Sequence, residues 1–127
     1  MNLDENELNI ISNLNIDALI LFGSQAQGIS NEKSDYDFFV IGSKNSDTYD
    51  VLINILSIKI NKLVDIDIVF NDDAPMELKN HVITYGQVLY QKTDNVFSNF
   101  KEQVMSMYQD FAPYRQLFQQ ATLARID

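Results

Sequence analysis

A chain of 127 residues with 18 acidic and 9 basic side chains carries a formal net charge of −9, so the basic footprint of a nucleic-acid binder is absent and a polynucleotide substrate is disfavoured. The lack of cysteine excludes disulfides, thiolate metal sites and thiol nucleophiles, and fits a cytoplasmic protein. This length predicts one domain over residues 1–127, with a real core but no room for a further substrate-recognition domain, so a partner is expected to supply what is missing.

The N-terminus, MNLDENELN, is acidic and lacks the basic start and apolar core of a signal peptide. No apolar run approaches the roughly 18 residues of a membrane span. Residues 4–14 then place Leu8, Ile10, Ile11 and Leu14 at helical spacing, with Asp4 as N-cap and Glu7 completing a capping box. Asp17 to Phe22 is an almost wholly apolar run and reads as a buried strand. Gln25 to Gly28 suits a turn of helix, and Ile29 to Ser34 a polar loop. A second strand over Asp37–Ile41 stops at Gly42, ahead of a helix capped by Ser46 or Asp47, whose Val51, Leu52, Ile55, Leu56 and Ile58 should pack on the sheet.

Leu63 to Phe70 is the predicted third strand, with Val64, Ile66 and Ile68 alternating with Asp65, Asp67 and Val69. Pro75 suits the first position of a short helix that ends near Tyr85, and Val88–Tyr90 an edge strand. Beyond about residue 92 comes a helical extension, with Val96, Phe97, Phe100, Val104, Met107, Tyr108 and Phe111 at three- and four-residue steps; Pro113 should kink or end it, before another turn or two from Tyr114 to about Ala124. The layout predicts an α+β domain: a small mixed sheet with helices on one face and a long C-terminal helix.

The chemistry concentrates between Leu19 and Ile41. Gly23-Ser24 follows directly on an apolar strand, where a sharp turn frees backbone N–H groups and a hydroxyl to hold a phosphate. Asp35 and Asp37 lie two apart at the head of Phe38-Phe39-Val40-Ile41, so the strand period sends both carboxylates to one face. Like charges about 4 Å apart repel by roughly 4 kcal/mol at an effective dielectric near 20. Such a pair implies a cation, and Mg2+ takes hard oxygen ligands from one or two carboxylates together with substrate phosphates.

Gly23-Ser24, ten intervening residues and then Asp35-Tyr36-Asp37 resembles the signature of the DNA polymerase beta-like nucleotidyltransferases. The short chain is most similar to their minimal branch, the MNT proteins, many of which are antitoxins to HEPN-domain toxins. The resemblance runs through Asp67 in VDIDIVF, Ala74-Pro75 and GQVLY at 86–90, and more weakly through the last helix. It implies ATP with its triphosphate over Gly23 and Ser24, one or two Mg2+ ions on Asp35, Asp37 and Asp67, and transfer of AMP to a tyrosine of a HEPN ribonuclease toxin.

Several positions stay open. Asp65 and Asp67 share one strand face, and periodicity does not choose between them; Asp67 matches the family spacing better, with Asp65 a supporting or bystander acid. Gln25 and Gln27 stand where the family often carries arginine, and an amide brings no positive charge, so Lys33 is a candidate replacement. The single histidine, His81, is given no role. The apolar stripe from Phe97 onward is a core face or a docking face. Two other functions fit the same residues: an antitoxin that acts by binding and occlusion alone, and a nucleotidyltransferase acting on a small molecule.

Overall fold

The structure, a computed structural model, describes residues 1–31 and 33–110. Helix α1 (Glu5–Ser12) opens with the expected capping box: Glu7 N–H donates to Asp4 Oδ1 and Asp4 N–H to Glu7 Oε1, each at 2.8 Å. Strand β1 (Ile16–Phe22) leads into the four-residue helix α2 (Ser24–Gln27), and β2 spans Tyr36–Gly42. Helix α3 (Ser46–Ile60) is capped one residue earlier than expected, by Asn45, whose side chain accepts from the N–H groups of Asp47 and Thr48.

Strand β3 covers Ile66–Phe70 and not the longer run from Leu63. Ladder pairing starts only where β2 offers a partner: Tyr36 N–H donates to Asp65 O at 3.0 Å, and Leu63, upstream of that point, is fully exposed. A 3-10 turn at Asn71–Asp73 precedes helix α4 (Met76–Tyr85), with Pro75 in the N-cap and not the first helical position. Edge strand β4 (Gln87–Gln91) and helix α5 (Val96–Asp110) follow. The predicted break at Pro113 and the turns from Tyr114 to Ala124 lie outside the described residues.

The sheet order is β3-β2-β1-β4, with β1 antiparallel to both β2 and β4 and β2 parallel to β3. A parallel pair needs a crossover, and α3 supplies it. The α+β class and mixed sheet are as expected, but helices cover both faces, not one. On one face Ile11 of α1 and Leu52, Leu56 and Ile60 of α3 pack with Leu19, Leu21, Phe38 and Val40. On the other, Val82 and Ile83 of α4 and Phe100 and Val104 of α5 pack with Ala18, Ile20, Phe22, Phe39 and Ile41. The physical reason is that β1 and β2 are apolar at odd and even positions alike, so each strand has two faces to bury.

Candidate active site

The antiparallel pairing of β1 and β2 brings the end of one to the start of the other. Phe22, the last residue of β1, lies opposite Asp37 near the start of β2. Parallel β3 starts at the same end, and its Asp67 pairs in register with Asp37. Two turns and a crossover thus gather residues from three strands at one end of the sheet.

Gly23 makes this meeting sterically possible. Its backbone takes φ 76° and ψ −159°, a combination open essentially to glycine alone. A Cβ built there would lie 2.5 Å from Asp37 Oδ2, so the carboxylate rests directly against the backbone at the turn. Ser24 begins α2, which has no side-chain cap. The N–H groups of its first turn are therefore donors without intrahelical partners, next to the acids.

Asp37 is half-buried, while Asp35 and Asp67 are exposed. Burial, then the charges of Asp67 and Asp35, hold the Asp37 carboxyl above its ordinary value of 3.8, with His81 pulling the other way. Asp35 is also held: its Oδ1 accepts the Asp65 N–H at 3.3 Å. Asp65, just before β3, and Asp67 within it thereby divide the work. Asp65 contributes its backbone to position Asp35, and the β3 charge felt by Asp37 is that of Asp67.

Gln25 and Gln27, the positions without arginine, also part ways. Gln25 Nε2 donates to Ser34 O at 3.1 Å and closes the loop between α2 and β2. Gln27 Nε2 lies 3.5 Å from His81 Nε2. Lys33 is exposed, with its backbone N–H bonded to Asn31 Oδ1 at 2.8 Å. His81 itself is the residue that the sequence reading passed over. It projects from α4 toward α2, meets Phe22 edge-on at 6.3 Å between ring centroids, and acts electrostatically on Asp37. Nothing in local spacing ties residue 81 to residues 27 or 37; only the packing of α4 over β1 does.

A surface hollow of about 710 Å³ between α1 and β4 lies elsewhere: it is lined by Glu5, Leu8, Asn9 and Gln91, and Gln91 pairs with Ala18, in the half of β1 away from Gly23.

Residues 6–95 match the family described as polymerase beta nucleotidyltransferase. The chain belongs to this family. The match spans Gly23-Ser24, Asp35, Asp37 and Asp67 together. A Methanocaldococcus jannaschii protein named as a protein adenylyltransferase is 34% identical over 79 residues, 59% of this chain and 79% of its own length. Among solved structures, a chain of a toxin–antitoxin complex crystallised with AMP-PNP is 25% identical, with a TM-score of 0.74 over 95% of this nucleotidyltransferase and 99% of that chain. A chain from the complex of a tri-AMPylated Shewanella oneidensis HEPN toxin with its MNT antitoxin shares the fold at a TM-score of 0.66 and 22% identity, over 94% and 95% of the two chains. No described helix of the nucleotidyltransferase is long and apolar enough to cross a membrane.

Whether these residues fit a divalent cation follows from their donors. Asp37 and Asp67 present hard oxygens in register, and burial together with the unneutralised charge of Asp67 raises the Asp37 pKa. Among the described residues, however, no three acidic or histidine groups converge into a complete protein cage. The arrangement fits an ion shared between carboxylates and substrate phosphates, the mode in which Mg2+ keeps few protein ligands.

Proposed function

We propose that this nucleotidyltransferase is an antitoxin that transfers AMP from ATP to a tyrosine hydroxyl of a HEPN ribonuclease toxin and so silences it. The observation that carries the reading is the in-register pair Asp37 and Asp67, with Asp37 against the backbone of Gly23. That arrangement sets phosphate donors and acids side by side. The likeness to a toxin–antitoxin chain crystallised with AMP-PNP and to a protein adenylyltransferase supports the nucleotide and the protein acceptor.

In this mechanism the free N–H groups at the start of α2 and the Ser24 hydroxyl hold the triphosphate. Asp35, Asp37 and Asp67 would hold Mg2+, which when bound neutralises phosphate charge and polarises the α-phosphoryl group. Asp67, at the β3 side, accepts the proton of the incoming tyrosine hydroxyl. The new bond joins that oxygen to the α-phosphorus, and pyrophosphate leaves in line. The net charge of −9 suits a basic, RNA-cleaving partner, because complementary charge speeds encounter. Residues 1–92 form the catalytic core, with helix α5 an extension of the same domain, in a cytoplasmic protein.

The test is intact mass spectrometry of a HEPN protein incubated with this chain, ATP and Mg2+. Mass steps of one AMP, absent with the Asp35→Asn, Asp37→Asn variant, are the expected result. A stable complex without any mass gain would instead make the chain an antitoxin that works by occlusion.

A further inference from the structure

Three rings climb from the buried end of β1 to solvent. Phe22, next to Gly23, is buried; His81 meets it edge-on at 6.3 Å; and Tyr85, one helical turn further along α4, lies 5.1 Å from His81 at an interplanar angle of 51°. Tyr85 is 52% exposed, so part of its ring is open to a ligand. Gln27, the last residue of α2, reaches the same ladder through its contact with His81.

The order across the sheet gives this ladder its place. Asp67 stands on β3, Asp35 and Asp37 at the head of β2, Gly23 and Ser24 after β1, and α4 packs on β1 beyond them. Gly86 and Gln87 follow Tyr85 directly, and Gln87 pairs with Leu21 of β1, so Tyr85 lies at the same end of the sheet as Gly23. If the acceptor approaches beside Asp67 and the phosphates lie over Gly23-Ser24, the side left for the nucleoside is the side of α4.

We propose that Tyr85, backed by His81, is the stacking platform for the nucleobase of the bound nucleotide. This rests on the nucleotidyltransferase reading above and deepens it. An exposed aromatic face binds any base by its π-surface. The platform also offsets the missing arginine charge: affinity absent at the triphosphate is recovered at the base.

The experiment is titration calorimetry with ATP and, separately, inorganic tripolyphosphate, both with Mg2+, on the wild-type chain, Tyr85→Ala and Tyr85→Phe. Because Tyr85 is half-exposed, the fold should survive, and circular dichroism checks it. The expected result is about a tenfold loss of ATP affinity in Tyr85→Ala, no change for tripolyphosphate, and near wild-type binding of both by Tyr85→Phe. Unchanged ATP affinity in Tyr85→Ala, or an equal loss for both ligands, overturns the platform alone. A wild-type chain that binds neither ligand overturns the nucleotide reading and the platform with it.

Discussion

Asp37 and Asp67 face each other in register across parallel strands, and the charge of Asp67 helps to hold the Asp37 carboxyl above 3.8. An acid whose folded pKa is raised binds its proton more tightly folded than unfolded, so stability falls as pH rises from about 3.8 through the folded value, and the penalty then stays constant. Asp37→Asn should therefore raise the Tm of the ion-free protein at neutral pH by about 1–3 °C, a small effect because the group is only half-buried. Below the window the two proteins should melt together. Thermal scans at several pH values check this, and adding Mg2+ with ATP should stabilise the wild type more than the variant.

Gly23→Ala tests the contact that sets phosphate donors beside acids. Its positive φ costs roughly 1–3 kcal/mol for a residue with a Cβ, and the new methyl displaces Asp37. Urea unfolding should report that loss, with AMP transfer reduced at least about 100-fold. In an Asp37→Ala background the steric part should vanish and only the backbone cost remain, which a double-mutant cycle measures.

Asp65 and Asp67 should separate cleanly. Asp67→Asn removes both a proton acceptor and a ligand and should cut AMP transfer by about 100-fold or more. Asp65→Asn keeps the backbone N–H that holds Asp35 and should stay within about threefold of wild type. Single-turnover transfer to a HEPN protein, followed by mass, distinguishes them. Equal loss in both would remove Asp67 from its assigned role.

The two glutamines should respond in opposite ways to arginine. Gln27→Arg adds a charge at the end of α2 and should lower the KM for ATP several-fold. Gln25→Arg breaks the bond to Ser34 O that closes the loop and should cost about 1 kcal/mol of stability. Steady-state kinetics and urea melts on the pair give both readouts.

Much of this site was legible in the chain itself. The turn at Gly23-Ser24, the period-two placement of Asp35 and Asp37, and the capping box of α1 are local features, set by residues within a few positions of one another. Helices on both faces, where one was expected, are also implicit in the chain, since Ala18 to Phe22 of β1 and Phe38 to Ile41 of β2 are apolar without alternation. β3 starts later than its composition implies because pairing, not composition, opens a strand: Leu63 and Val64 have the apolar character but no neighbour on β2.

What the sequence determined alone was the chemistry available: acids at strand heads, a glycine turn, and the absence of thiols and of a basic surface. Tertiary structure decided which of these meet. Periodicity leaves Asp65 and Asp67 equivalent, and only the register of β3 on β2 sets Asp67 opposite Asp37 while turning the Asp65 backbone toward Asp35. Likewise His81 and Gln27 are 54 positions apart, and their meeting depends on α4 lying over β1. Local patterns fix which way a side chain points within its own element; the partner it finds is fixed by how the elements pack, which no short window of sequence contains.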